Sequence, residues 1–312
     1  MCNNTIKTPY SLIITHRELS HFAFYMKNIL TTLLFVIQTI HIANCQTIVA
    51  INEQFQTMAA RLPNAKEVGI TQLVAYYNFT YPVDNYNDGF AESVDVLKVQ
   101  ISTNLSKTYS DNLHKRDRNL SFGEQNGAKF RFDYFDAEVF NYVSENKITV
   151  QRRLPLSQLI YNTTEVVEYS ETQEIEWTQN DGTAIINGYQ CLSATASIAG
   201  RKWCVWYTLE IPTKANLWRF TGLPGLVILA EDESGEFKFE CTSIDKVEES
   251  ILTYEWQMRK MSKAKWLKTE REMYTNPDSF FNKDGRLIIM DNDTHQPITE
   301  TWSVRYNPIE LN

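Results

Sequence analysis

The chain has 312 residues and a formal net charge of −8, with 38 acidic against 30 basic side chains. An acidic surface excludes nucleic acid as the expected partner, because phosphate binding requires clustered Lys and Arg. The one basic cluster, residues 115–118, is interpreted as a solvated loop. No stretch rich in Gly, Ser or Pro divides the chain, so we expect a single domain.

Residues 26–45 have the layout of a secretory signal peptide. Lys27 supplies a basic start, an apolar run extends from Ile29 to Ile42, and Ala43 and Cys45 place small residues at the −3 and −1 positions. The run is shorter than the roughly 20 residues that a membrane-spanning helix needs, and no later stretch is long enough. The sequence therefore predicts export.

The signal peptide sets the expected boundaries of the mature protein. Cleavage before Gln46 leaves residues 46–312 as a single β domain, and residues 1–25 are interpreted as an over-extended gene start. In an alternative, Cys45 is a lipid-anchored cysteine, but Asn44 is a poor residue before such a cysteine and favours plain cleavage. The expected location is the periplasm or cell envelope.

Strand patterns dominate the mature chain. A short helix is predicted at Glu53–Leu62, followed by strands at Leu73–Thr80 and Val94–Ser102, which are rich in β-branched and aromatic residues. Residues 111–141 are charged and irregular and are interpreted as the most variable region. Three further strands are predicted at residues 148–150, 166–169 and 175–178.

A β-hairpin is predicted on either side of a tight turn at Ala199–Gly200. Paired residues then have numbers that sum to 399, which places Cys191 opposite Thr208 and Cys204 opposite Thr195. The two cysteines are offset by four residues, or roughly 13 Å at about 3.3 Å per residue. This distance is too long for a disulfide.

A third cysteine, Cys241, leaves the disulfide state open. A disulfide from Cys191 or Cys204 to Cys241 is one alternative. Because three cysteines cannot all pair with one another, at least one of them keeps a free thiol. Buried free cysteines are the simpler interpretation.

The most informative stretch is a turn followed by a β-hairpin at residues 217–244. The turn consists of Gly222, Leu223, Pro224, Gly225 and Leu226. Pro224 fixes φ near −65°, and Gly225 is expected to take the positive φ of position i+2 in a type II turn. Gly222 is expected to take a strained angle or to let another backbone approach closely.

The elements after this turn complete the predicted fold. Apolar residues at every position of Leu226–Ala230 predict a strand covered on both faces, and Asp232–Gly235 predict the turn of a hairpin. Ser262 is predicted to cap a helix that ends at Asn276, with Trp266 on its packed side. The whole pattern predicts a mainly β fold, with an antiparallel, strongly curved sheet or open half-barrel and one or two short helices.

The sequence resembles a family of secreted bacterial proteins. Gly222–Val227 reads GLPGLV, where the GLPGLI family of Bacteroidetes-type bacteria usually carries isoleucine at the last position. The resemblance extends to residues 188–191, 200–203, 206–212 and 306–312. It implies a secreted β domain, and it implies no catalytic residues, since the family is largely uncharacterised.

Candidate catalytic and metal-binding groups are few. His114 and His295 are the two histidines after the signal peptide, and neither G-x-S-x-G nor H-E-x-x-H occurs. Residues 291–295 and 231–233 carry side-chain oxygen atoms of the kind that bind a cation. Both stretches are also typical of polar turns in hairpins, which need no metal. We therefore predict no catalytic residue, no metal and no cofactor.

Two classes of function remain. The first is an exported, non-catalytic envelope protein that binds or assembles outer-membrane machinery, for which the resemblance implies a TonB-dependent transporter as partner. The alternative is a periplasmic carrier of an apolar or lipid ligand, and a hydrolase is a weaker one. A deep apolar cavity facing Trp203 or Trp206 would favour the carrier. Carboxylates around His295 would favour the hydrolase. A filled core with an exposed apolar edge would favour the partner-binding protein.

Overall fold

The fold is mainly β, as the strand patterns predicted. The computed structural model describes residues 47–50, 59–85, 89–122, 135–154, 164–281, 287–290 and 305–312. Within these ranges the strands form one sheet of twelve strands and two sheets of two strands. The large sheet is not closed into a barrel, and the helices are few and short.

The bounds of the elements follow the chain. The first eight strands are β1 (Thr47–Ala50), β2 (Ala65–Ile70), β3 (Leu73–Asn85), β4 (Gly89–Ile101), β5 (Leu105–Ser110), β6 (Ala137–Tyr142), β7 (Lys147–Arg153) and β8 (Glu165–Thr172). The next eight are β9 (Thr178–Ile186), β10 (Tyr189–Ile198), β11 (Arg201–Thr208), β12 (Leu226–Asp232), β13 (Lys238–Asp245), β14 (Ser250–Tyr254), β15 (Gln257–Lys260) and β16 (Leu287–Met290). The helices are α1 (Asp111–Ser121), α2 (Lys263–Thr275) and α3 (Pro277–Phe281), and a 3₁₀ turn spans Val143–Glu145.

The large sheet joins two meanders. Its strand order is β15-β8-β7-β6-β5-β4-β3-β13-β12-β11-β10-β9, so β3 to β8 and β9 to β13 each pair with their neighbours in sequence. The ladder between β3 and β13, in which Phe79 pairs with Phe239, connects the two halves. All neighbours are antiparallel except β15 and β8. The small sheets pair β1 with β16 and β14 with β2.

The contacts of one buried segment require the large sheet to curve. Residues 209–225 connect β11 to β12, and in their buried part, residues 215–220, the Trp218 ring lies 5.2 Å from the ring of Trp203 on β11. The next residue, Arg219, forms an ion pair with Glu171 on β8. Eight strand spacings separate β8 from β11, which is roughly 38 Å in a flat sheet. The sheet therefore bends around this segment.

The β10–β11 hairpin confirms the predicted register. Cys191 pairs with Thr208 and Cys204 with Thr195, so the pairs sum to 399 as the turn chemistry required. The turn residue Ala199 has φ 50° and Gly200 has φ 81°, which matches the right-handed twist of the strands.

The predicted strand and hairpin after the glycine-rich turn are also confirmed. The apolar run begins β12, and four of its five residues are wholly buried, while Leu229 is half-buried. The chain then turns at Gly235, which has φ 73°, and enters β13.

The helix α2 begins at the position that the predicted cap residue indicated. The Ser262 hydroxyl accepts a hydrogen bond from the backbone N–H of Lys265 and begins α2, and Asn276 follows its last residue. Trp266 is 1% exposed, so the predicted packed side is correct.

Two sequence-based expectations were wrong, and a third is tested only in part. Residues 111–121, expected to be irregular, form α1, and the basic cluster 115–118 lies on that helix rather than in a loop. Residues 175–177 are not strand, since β9 begins at Thr178. Of the helix predicted at Glu53–Leu62, residues 53–58 lie outside the described ranges, and residues 59–62 have no regular structure.

The two glycines of the central turn exchange their expected roles. Gly222 takes the positive φ, at 88°, whereas Gly225 does not. A Cβ atom on Gly225 would lie 2.0 Å from the carbonyl oxygen of Thr208, so this glycine permits a close backbone approach between the start of β12 and the end of β11. The expected type II geometry at Gly225 is therefore wrong.

Substituting each glycine by alanine separates these two roles. Gly225→Ala places a methyl group against the fixed backbone of Thr208, so we expect it to lower the free energy of unfolding by more than about 3 kcal/mol. Gly222→Ala meets its nearest atom, Nε1 of Trp177, at 3.6 Å and should cost only about 1–2 kcal/mol through its left-handed φ. Urea unfolding of both variants measures the difference, and equal losses would contradict this assignment.

Candidate ligand-binding site

A cleft of about 960 Å³ opens at one end of the large sheet. Its lining comes from connections that share this end: the start of β3, the β4–β5 and β6–β7 turns, and the segments that follow β8, β11 and β13. The central turn contributes Thr221, Gly222 and Pro224 to one wall. The volume lies near the top of the range of roughly 300–1,000 Å³ that ligand pockets occupy.

The floor of the cleft is apolar. Leu73, Ile101 and Ile148 line it and are buried. Ile175 and Ile211 also line it, are half-buried, and pack against the main hydrophobic core. The half-buried Ile175 and Ile211 thus present apolar area to the cleft beside the buried core, and an apolar group placed against them would be removed from water.

The rim of the cleft carries charged and neutral polar side chains. Three lysines line it, Lys147, Lys214 and Lys246, against one carboxylate, Glu174. Amide and hydroxyl groups of other lining residues, such as Asn104, supply further hydrogen-bonding groups. The site can therefore bind a molecule with an apolar part and a polar part.

The side chain of Asn216 stabilises the β11–β12 connection, which contributes one wall of the cleft. Its side-chain Nδ2 donates to the carbonyl oxygen of Gly225 at 3.0 Å, and its Oδ1 accepts from the backbone N–H of Val227 at 2.8 Å. The side chain therefore joins the middle of the connection to the start of β12, where the backbone N–H of Leu226 also donates to the carbonyl oxygen of Ile211 at 3.0 Å.

The same segment is fixed to the first meander by side chains of β5 and β6. Ser106 donates to the Asn216 carbonyl at 2.6 Å, and Asn141 donates to the carbonyls of Asn216 and Trp218 at 3.0 and 2.7 Å. The backbone N–H of Trp218 donates to the Thr108 hydroxyl at 2.8 Å. These bonds hold Trp218 at φ 47°, a left-handed conformation that a bulky residue adopts only when its surroundings impose it.

A buried arginine ties this segment to the C-terminus. Arg219 is wholly buried, and its Nε and Nη2 donate to the two carboxylate oxygens of Glu310 at 2.9 and 2.8 Å. Its Nη1 pairs with Glu171, and Tyr169 donates to Glu310 at 3.1 Å. Burial alone raises the pKa of Glu310, but the charge and hydrogen bonds of Arg219 outweigh it and hold that pKa below its ordinary value.

Other residues of the C-terminal tail, residues 305–312, dock nearby. Arg201 donates to the carbonyl oxygen of Pro308 at 2.7 Å. Tyr306 donates to Glu270 at 3.0 Å, and Glu270 also pairs with Arg152 at 3.0 Å. Burial raises the pKa of Glu270 to about 7, although Arg152 opposes the shift.

The three cysteines of the described chain are free thiols. Cys191 and Cys241 are buried and Cys204 is half-buried, so the alternative of a bridge to Cys241 is wrong for this structure. Burial raises the pKa of Cys241 to about 12 and raises the pKa values of the other two. Neutral thiols are poor nucleophiles.

The candidate catalytic and metal-binding groups do not converge in the described chain. His114 lies between the rings of Tyr109 and Tyr254, and burial, together with the charge of Lys107, lowers its pKa. His295 and residues 291–295 lie outside the described ranges. Within the described ranges, no three His, Cys, Asp or Glu side chains are placed to hold a metal ion, and none of the helices combines the length and the apolar character of a membrane span.

The space beside Trp203 is filled. Its ring is wholly buried and packs within 5.7 Å of the rings of Trp218, Phe220 and Phe239. Neither Trp203 nor Trp206 lines the cleft. The cavity that a carrier was expected to have beside these residues is therefore not found there, and the cleft lies at the end of the sheet instead.

Sequence reasoning missed the residues that hold the wall. Asn216, Arg219, Asn141 and Glu310 are polar or charged and buried, and none belongs to a motif that spacing reveals. One signal was present: Arg219 stands between two aromatic residues in an otherwise apolar stretch, where a charge requires a buried partner.

Comparison with known proteins does not identify the chain. No protein-family model matches it, and no curated protein matches it. Two solved structures of PNGF-II, in the P2₁ and C2 space groups, are similar at 15% and 14% identity, with TM-scores of 0.41 and 0.40. Each match covers 62% of this chain but only 32% and 31% of the other, so this chain spans about a third of those proteins. A likeness this slight carries no argument about function.

Removing the carboxylate of Glu310 tests the buried ion pair. Glu310→Gln leaves Arg219 short of a charged partner, so we expect a loss of about 3 kcal/mol in the free energy of unfolding. The control is Glu176→Gln, an exposed glutamate without an ion pair in the described chain, which should change stability by less than about 0.5 kcal/mol.

The pH dependence of the same pair has a defined sign. Because the folded pKa of Glu310 is lowered, its contribution is present above the ordinary pKa of 4.5 and is lost as the pH falls through the folded pKa. Urea unfolding of the chain and of Glu310→Gln should therefore converge at acid pH, and a gap that persists there would contradict the assignment.

The raised pKa of Glu270 predicts the opposite change of stability with pH. Its folded pKa of about 7 exceeds the ordinary value of 4.5, so the folded chain holds this proton more tightly and loses stability as the pH rises from about 4.5 to 7. The loss from this group is about 3 kcal/mol. Glu270→Gln should flatten the change in unfolding free energy between pH 5 and pH 8, whereas Glu272→Gln, on the exposed side of α2, should leave it unaltered.

Proposed function

We propose that this chain is an exported, non-catalytic binding protein and that the cleft at the sheet end is its binding site. The observation that carries the proposal is the combination of ligand-sized volume, apolar floor and polar rim in one place. Loops held by a rigid sheet are a common position for binding residues.

The resemblance to the GLPGLI family supports the same proposal. We propose that the chain is a GLPGLI-type protein and that residues 26–45 direct its export to the periplasm or cell envelope. In this interpretation the family signature has two structural uses. Gly225 brings β12 against β11, and Gly222 and Pro224 form a wall of the cleft.

Between the two classes of binding partner, the cleft favours a small ligand. Its volume suits one molecule with an apolar part, which is the carrier function, at a site different from the one expected beside Trp203. The second candidate is a protein partner, such as outer-membrane transport machinery. It is favoured by Ile185 on the outer strand β9, which is 80% exposed.

Filling the cleft tests the proposed function. Thr103 is an exposed residue of the cleft lining, so Thr103→Trp places a large ring in the site. Native mass spectrometry of the full-length gene product, purified from its own host's envelope, should show a small-molecule adduct that denaturation removes. We expect Thr103→Trp to lower the bound fraction at least tenfold.

The matched control is Thr275→Trp, which places the same side chain at the exposed last residue of α2, outside the cleft lining. It should retain the adduct. A protein mass without an adduct, or an adduct that both variants retain equally, would contradict binding in the cleft. Either result would favour a protein partner, and crosslinking in intact cells would then be the next measurement.

A further inference from the structure

We infer that the ligand of the cleft is an amphipathic anion, a molecule with an apolar body and a carboxylate or phosphate group. The inference rests on the proposed function and adds the chemistry of the ligand. It derives from the distribution of charge around the cleft and from the position of the lysines relative to the apolar floor.

The charge of the cleft is opposite to that of the chain. The chain carries a net charge of −8, yet the cleft lining has Lys147, Lys214 and Lys246 against Glu174 alone. A concave site lined by one sign of charge concentrates ions of the other sign. The local field therefore favours an anion over a cation or a neutral molecule.

Two of these lysines have no ion-pair partner among the described residues. Most lysines of the described chain form ion pairs, including those at positions 98, 107, 115, 202, 238, 260 and 263. Lys214 and Lys246 form none with the described residues and are exposed. Among the described residues, Lys147 has one long ion pair, with Glu145 at 3.9 Å, and its ammonium lies 5.2 Å from the centre of the Tyr142 ring. The ammonium groups of Lys214 and Lys246 thus remain available to a ligand.

The arrangement of the lining separates the two parts of the ligand. The buried side chains of Leu73, Ile101 and Ile148 belong to the floor, whereas Lys214 and Lys246 are exposed. A ligand that placed an apolar chain on the floor and its charged group at the lysines would bury apolar area and keep the charge hydrated. A wholly polar anion would leave the floor unused, and a neutral hydrocarbon would leave the lysines unused.

Binding of three ten-carbon probes tests the charge of the ligand. Isothermal titration calorimetry of the full-length gene product would compare decanoate, decyl phosphate and neutral decanol, each below the concentration at which it aggregates. We expect one or both anions to bind at least tenfold more tightly than decanol. The tighter anion assigns the charged group as carboxylate or phosphate, and raising the salt concentration should weaken its binding.

Lysine variants test the position of the charged group. Lys214→Gln combined with Lys246→Gln should weaken binding of the tighter anion about tenfold and leave decanol unchanged. The matched control is Lys66→Gln combined with Lys265→Gln, which removes two exposed lysines that also form no ion pair in the described chain. It should change the affinity less than twofold.

The outcomes distinguish this inference from the proposed function. Equal binding of decanol and the anions, unaffected by either lysine pair but abolished by Thr103→Trp, would overturn the inference and retain a binding role for the cleft. Binding of none of the three probes, together with an adduct that Thr103→Trp leaves intact, would overturn both. Equal weakening by the two lysine pairs would assign the effect to overall charge and would also overturn the inference.

Discussion

The buried guanidinium of Arg219 is the constraint on which the rest of the structure depends. Transferring a charge from water into a protein interior costs several kcal/mol, so the fold requires partners that meet it there. Those partners come from distant parts of the chain: Glu171 on β8 and Glu310 in the C-terminal tail. One side chain therefore links the connection between β11 and β12, the outer part of the first meander and the last residues of the protein.

This constraint reaches the cleft through the backbone. Thr221 follows Arg219 by two residues and begins the wall, and the backbone carbonyl of Arg219 accepts from Gln173, which also lines the cleft. A shift of the guanidinium would therefore displace the lining residues that are bonded to it or follow it in the chain. The cleft is built on loops, yet its position is determined by the buried core, as specific binding requires.

Local chemistry was sufficient to predict some elements and insufficient for others. The Ala199–Gly200 turn determined a whole hairpin register, and the Ser262 cap located α2, because turn and cap preferences act within a few residues. The helix α1 was missed because its buried side includes Asp117, whose charge is met by Arg153 on β7, and an apolar pattern cannot reveal such a pair. The roles of Gly222 and Gly225 were exchanged because the contact with Thr208 lies far away in sequence.

The cleft lay beyond sequence reasoning for a topological reason. Lys147, Lys214 and Lys246 are separated by tens of residues, and each looks like an ordinary surface lysine. They meet because antiparallel neighbours return to the same end of the sheet, and because its curvature brings the ends of β7 and β11 towards each other. The pairing of β3 with β13 makes this possible, since it joins the two meanders into one sheet. Without that ladder, the floor residues of β3, β4 and β7 would lie on one surface with Lys147, and Lys214 and Lys246 would lie on another.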